Sequence, residues 1–345
     1  MPTTCWDRAE AAIPALARGE RDAAGWLAGL PIGIKDLTPV KGVRTTLGTK
    51  GMADHVPNTS DPLVERLEAR GALVVGKTNT PELGAGANTF NEIFGATLNP
   101  WNTAMNAGGS SGGAAAGLAT GEVWLSHGSD HGGSLRTPAA YCGVVGLRPS
   151  PGRAGGAAPT AGFLIESVQG PMARSVMDCA LFLDAMTGFE PRFPISFPAP
   201  DAPFQDAVRR AEGKGLRIGF APDLGGFAPV DPEMAEHLAA AMASLERSGV
   251  RVEQAHPDIT GLERTYHILR GISWVTGARS MAPELRRHFK PTLEENTRFG
   301  ETLGIQDVAE AQVGRTMIFN AMLDFFTDFD VLALPVVGNM PHPQS

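Results

Sequence analysis

A serine hydroxyl becomes a nucleophile when a base takes its proton and donors meet the oxyanion formed on the attacked carbonyl. The stretch Gly128-Ser129-Asp130-His131-Gly132-Gly133-Ser134-Leu135-Arg136 has the residue types for the attack and for the donors. A glycine turn over 128–133 followed by a helix over 134–141 would place Ser134 at a helix start. Backbone N–H groups there lack helical partners and point outward. Those of His131, Gly132, Gly133 and Ser134 are therefore candidates for an oxyanion hole. On this stretch alone, Ser134 reads equally well as a plain helix cap.

A second run, Gly108-Gly109-Ser110-Ser111-Gly112-Gly113, lies 24 residues upstream, counted from Ser110 to Ser134. Glycines around paired serines permit backbone shapes that side chains forbid. A phosphate-binding loop would end in Lys-Ser/Thr, which this run lacks. A linker reading fits poorly with the apolar helix and strand patterns on either side. The third piece is Lys35 in PIGIKDL. Lysine is protonated at neutral pH and accepts a proton only when burial lowers its pKa. Taken alone, Lys35 reads as a surface lysine paired with Asp36. His127 and His131 stand four apart, a metal-ligand spacing on a helix. Gly128, Gly132 and Gly133 argue against a helix there and no third ligand is evident, so a metal is not expected; no other cofactor is expected either. Gly84-Ala85-Gly86 lacks the third glycine and the acid of a dinucleotide site.

These groups must be carried by regular elements. A helix with Trp6, Ala9, Ile13 and Leu16 on one face is interrupted in pattern by Pro14. An apolar segment over 30–34 delivers Lys35. Ser60 is expected to cap a helix holding Leu63, Leu67 and Ala69, stopped by Gly71 and followed by a strand over 72–75. Residues 76–113 read as loop, 112–118 as helix, 123–126 as strand and 176–185 as helix. Residues 188–213, rich in Pro, Phe and Ala, read as a linker or surface excursion. A strand over 216–220, a helix from Asp231-Pro232 to Arg247, and strands over 250–253 and 331–336 complete the chain. The strand–helix–strand order predicts parallel pairing and an α/β class.

The chain has 345 residues, 43% of them hydrophobic, with a net charge of −8. That is enough apolar material for a sizeable core. The acidic balance argues against nucleic acid as a partner. No apolar run is long enough to span a membrane. Cys5, Cys142 and Cys179 form no paired framework, which suits a reducing cytoplasm.

The combination resembles the amidase signature family. The resemblance covers residues 30–181 closely: GLPIGIKD, GKTNTPEL, FGATLNPWN, GGSSGGAAAGLATG, GSDHGGSLRTPAAYCGVVGLRPSPGR and QGPMARSVMD. A weaker match continues to FDVLALPV. The resemblance implies one domain over 1–345, more variable over 182–345, with a central mixed sheet covered by helices on both faces. It implies Ser134 as nucleophile, Ser110 as bridging serine after a cis peptide bond, and Lys35 as base. Ser111, Asp130 and Arg136 would support the site. His131 reads on its own either as a conventional base for Ser134, which requires its ring to fold back on a near neighbour, or as a residue of the oxyanion turn that lines the pocket and influences substrate choice. The resemblance further implies that closing sheet and helix elements follow the ALPV-like strand and that helices precede the lysine strand, so the chain is expected to be truncated at both ends. The expected activity is hydrolysis of a small-molecule carboxamide, with a homodimer as an allowed assembly. The alternatives are the glutaminase subunit of a tRNA-dependent amidotransferase, from whose pattern AGGAAPTAG at 154–162 departs, and an inactive binding protein on the same scaffold. Residues 192–206 and 266–274 are expected to influence substrate choice. Phe163 and Trp274 read either as core aromatics or as contacts to an apolar acyl group.

Overall fold

The computed structural model describes residues 1–16, 23–156 and 161–344. They pack into two compact units. The first comprises residues 1–210, 276–294 and 341–345, the second 211–275 and 295–340.

Unit one is built on a six-stranded sheet. Its strands are β1 (Thr3–Thr4), β2 (Pro31–Lys35), β3 (Leu73–Thr78), β4 (Leu125–Asp130), β5 (Val145–Gly146) and β6 (Val168–Ala173), in the order β1-β3-β2-β4-β6-β5. β2 runs parallel to both β3 and β4, while β1, β5 and β6 pair antiparallel with their neighbours. The sheet is therefore mixed, as the family resemblance implies.

Apolar residues alternate between two cores. Ile32, Ile34, Val74, Leu125 and Ala173 join Leu63, Leu67 and Phe182. Val75 and Met172 join Ala9, Leu118 and Leu135. The helices follow this division. α2 (Pro62–Ala69) and α5 (Val176–Met186) supply the first core. α1 (Trp6–Leu16), α3 (Gly112–Ala119) and α4 (Arg136–Cys142) supply the second. The sheet is thus covered on both faces.

The cap of α2 differs from expectation. Asp61, not Ser60, accepts the Leu63 N–H at 2.8 Å, because Pro62 takes the first helical position. Ser60 instead accepts the Lys41 N–H at 2.9 Å. The strand expected over 72–75 runs on through Lys77 and Thr78. The expected excursion over 188–213 contains a helix, Phe204–Arg210.

Unit two holds a three-stranded parallel sheet of β7 (Arg217–Phe220), β8 (Arg251–Gln254) and β9 (Val331–Ala333), with β7 central. α6 (Pro232–Arg247) links β7 to β8 and opens with Asp231 and Pro232 at its first positions, though the Asp231 side chain makes no capping bond. α7 (Ile305–Asp328) precedes β9, and its Ala311 packs with Ile268 and Leu269. The parallel strand–helix–strand reading holds. No helix of the described residues is long and apolar enough to cross a membrane.

Candidate active site

Lys35 is the last residue of β2 and is completely buried. Its Nζ lies 2.7 Å from Ser110 Oγ, 2.9 Å from Ser111 Oγ and 3.0 Å from Ser129 Oγ. It also donates to the Ser129 carbonyl at 3.3 Å. Burial pushes the amine down to about 7, opposed by the negative charge of Asp130. Lys35 does not pair with Asp36, the partner its sequence neighbourhood offers. Asp36 accepts from the Thr46 N–H at 3.1 Å and Thr46 Oγ1 at 2.5 Å, and lies 3.4 Å from Lys77 Nζ.

Ser110 follows a cis peptide bond from Gly109, as the resemblance implies. Ser110 and Ser111 are buried where the loop after the hairpin strand Asn102–Asn106 enters α3. The Ser111 N–H donates to the Ser134 carbonyl at 3.1 Å. That bond ties the two serine-bearing segments together. Ser111 Oγ also donates to the Ser129 carbonyl at 3.3 Å. The approach is close at Gly128: a Cβ there would sit 2.8 Å from Ser111 Oγ and 2.6 Å from Leu135 Cδ2. Glycine is needed for contact, not for a turn.

The turn itself starts later than the sequence indicated. Gly128, Ser129 and Asp130 belong to β4, paired with Gly170, Gln169 and Val168. The irregular turn occupies 131–135, and α4 begins at Arg136. Ser134 therefore precedes the helix instead of opening it. Ser134 is half-buried while Lys35, Ser110 and Ser111 are buried, so a ligand can reach it ahead of the others.

Asp130 organises this turn. Its carboxylate accepts the Gly133 N–H at 2.9 Å, the Leu135 N–H at 3.0 Å, and Arg136 Nε and Nη2 at 3.1 and 3.0 Å. Burial pushes the carboxyl up, but these hydrogen bonds and the Arg136 charge outweigh it and hold it at about 2. One expectation is corrected here. The Gly133 N–H is taken up by the Asp130 carboxylate and is not free to serve an oxyanion. Gly132 and Ser134 N–H groups make no hydrogen bond among the described residues.

His127 lies within β4 and His131 in the irregular turn beyond its end, so the helical spacing of two metal ligands does not apply to them. Burial lowers the His127 ring to about 3, against a hydrogen bond to Gln169 Oε1 at 2.7 Å. No cluster of metal-ligating side chains occurs among the described residues. Phe163 is 79% exposed, so it is not a core aromatic. Of the AGGAAPTAG stretch, residues 157–160 lie outside the described residues.

Sequence reasoning missed Ser129, Lys77 and Arg148. Ser129 lies in a run whose glycines read as a turn, and only the pairing of this run as β4 places its hydroxyl beside Lys35. Lys77 and Arg148 lay within GKTNTPEL and GLRPSPGR, with no pattern to mark either as buried or paired.

A family model described as Amidase matches residues 1–345. The chain belongs to the amidase family. Among its relatives is the "Acylamidase" of Rhodococcus erythropolis, 37% identical over 92% of this chain and 67% of that protein. A glutamyl-tRNA(Gln) amidotransferase subunit from Synechococcus sp. (strain CC9605) is 41% identical over 76% of this chain and 53% of its own length. Among solved structures, a bacterial aryl acylamidase of the amidase signature family superposes with a TM-score of 0.90 at 29% identity, covering 99% of this chain and 73% of that one. This amidase chain thus spans about half to two thirds of the curated relatives it matches.

Proposed function

We propose that this chain carries the site of an amidase that hydrolyses a carboxamide through an acyl-enzyme on Ser134. The observation that carries the reading is the completely buried Lys35, with Nζ 2.7 Å from Ser110 Oγ and no carboxylate within ion-pair distance among the described residues. A neutral amine there accepts the Ser110 proton as Ser110 takes the proton of Ser134. Ser134 Oγ bonds to the amide carbon, and the carbonyl oxygen gains the negative charge. The N–H groups of Gly132 and Ser134, with that of His131, meet that charge. Collapse breaks the C–N bond, and the relay returns its proton to the leaving nitrogen. Water then attacks the ester, giving acid and ammonia or amine and restoring Ser134. Ser111 and Ser129 hold the Lys35 amine, while Asp130 and Arg136 hold the turn.

The substrate class follows the names of the relatives: an acylated amine or a small carboxamide, such as an aryl amide. A sparse, unpaired set of cysteines fits a reducing, cytoplasmic setting. The identity to amidotransferase subunits favours a second reading, a glutaminase subunit working with partner subunits. Co-purification with a second subunit together with glutaminase activity would select it.

The first test needs no substrate. A serine-directed fluorophosphonate should leave one adduct on Ser134, mapped by mass spectrometry. Folded protein that takes no adduct, or takes it elsewhere, overturns the reading.

A further inference from the structure

We propose that Arg148 is a positioning residue that sets the charge felt by Lys35, acting through Asp130. This rests on the reading of Lys35 as the base. β4 ends on Asp130, one residue past the Ser129 groups that grip Lys35 Nζ. Asp130 is fully buried, and its negative charge favours the protonated amine of Lys35. A proton acceptor requires the opposite, so the carboxylate that builds the nucleophile's turn works against the base.

Two guanidinium groups offset it. Arg136 chelates the carboxylate from the turn side, but its side chain is 45% exposed, so solvent screens much of its charge. Arg148 approaches from the segment after β5. Its Nη1 lies 3.3 Å from Asp130 Oδ1 and also donates to the Asp130 carbonyl, while Nη2 donates to the Glu166 carbonyl at 2.9 Å. The Leu147 N–H bonds to the Pro171 carbonyl at 3.1 Å and holds this segment against β6. The Arg148 side chain is only 24% exposed. Its charge is therefore the less screened of the two.

The other titratable groups around Lys35 leave this role open. His127 on β4 is neutral on its Gln169 contact. Lys77 on β3 is matched by Asp36 from the segment after β2. α3, with sequence GGAAAGLA, brings no charge.

The test is the pH dependence of fluorophosphonate labelling at Ser134, with variants that separate charge from shape. Arg148→Gln keeps a hydrogen-bond donor and removes the charge; Arg148→Lys keeps the charge and loses the fork. In Arg148→Gln the acid limb should move up by about half to one pH unit, with the labelling rate lowered about two- to fivefold near neutrality and regained as pH rises. Arg148→Lys should keep the wild-type limb. Arg148→Met serves as the second uncharged variant should the Gln protein not fold. A rate lowered equally at every pH in the uncharged variants, or a Lys variant that shifts as far as Gln, would make Arg148 a packing residue and end the proposal. Failure of wild-type protein to label at Ser134 would instead sink the base reading itself.

Discussion

Lys35 and Lys77 sit on adjacent parallel strands, and both are completely buried. Burial lowers both, Lys35 to about 7 and Lys77 to about 8. Their surroundings differ in kind. Lys77 faces the Asp36 carboxylate at 3.4 Å and donates to the Thr38 carbonyl at 2.6 Å and to Thr45 Oγ1 at 2.9 Å. Lys35 faces serine hydroxyls and one carbonyl. A carboxylate partner rewards the charged amine, while a hydroxyl serves either protonation state, as acceptor or donor. Burial alone therefore does not make a base. In the proposed mechanism the lysine without a counter-ion, set beside a hydroxyl, is the one that transfers the proton, while Lys77 ties strand and loop together.

The sharpest way to break this contrast is to exchange the consequences of removing each lysine. Lys35→Ala, like Ser134→Ala, should cost about 10⁴-fold or more in kcat/KM, and the double variant should cost little more than either single if the proposed relay acts as a unit. Steady-state kinetics on an aryl amide, with circular dichroism to show the fold, measures this. A Lys35→Ala protein that kept most of its activity would remove the contrast altogether.

Lys77→Met should show the reverse pattern. It strands the Asp36 carboxylate in the core, so unfolding by denaturant should reveal a loss of about 3–5 kcal/mol. Adding Asp36→Asn should recover part of it. Activity per folded molecule should fall far less than in Lys35→Ala. If Lys77→Met were as stable as wild type, the ion pair would not be what sets this lysine apart.

The smallest effect is the pH profile. Because the folded-state value of Lys35 is lowered to about 7, the neutral amine prevails above that pH and the ammonium below it. kcat/KM should fall about tenfold per pH unit on the acid side of the limb. A profile flat down to roughly pH 5 would exclude a lysine base.

Much of this was legible in the residues. Ser134, Ser110 and Lys35 stood out because their glycine settings and the family motifs converge. Unit two's strand–helix–strand was readable because Asp231-Pro232 starts the helix and short apolar runs flank it. β4 was harder to read. Gly128 and Ser129 carry turn-like residues in a strand whose partner, β6, lies some forty residues on, so pairing, not propensity, decides it. The Gly133 N–H was legible as unpaired only until Asp130 folded back onto it.

Local sequence was enough for the chemical inventory and the regular elements: a lysine at the end of an apolar strand, serines in glycine-rich runs, and helices whose starts follow from proline and acidic residues. Which lysine would lack a counter-ion was not local information. A register shift between β2 and β3 pairs Ile34 with Lys77 and Lys35 with Thr78. Neighbours across a sheet share a face and neighbours along a strand do not, so the two ammonium groups emerge on opposite sides. One side holds Asp36 and the other holds the serines. That division arises only when strands distant in sequence come into register and their flanking loops fold against them, because the cost of burying a charge is set by what those segments place beside it.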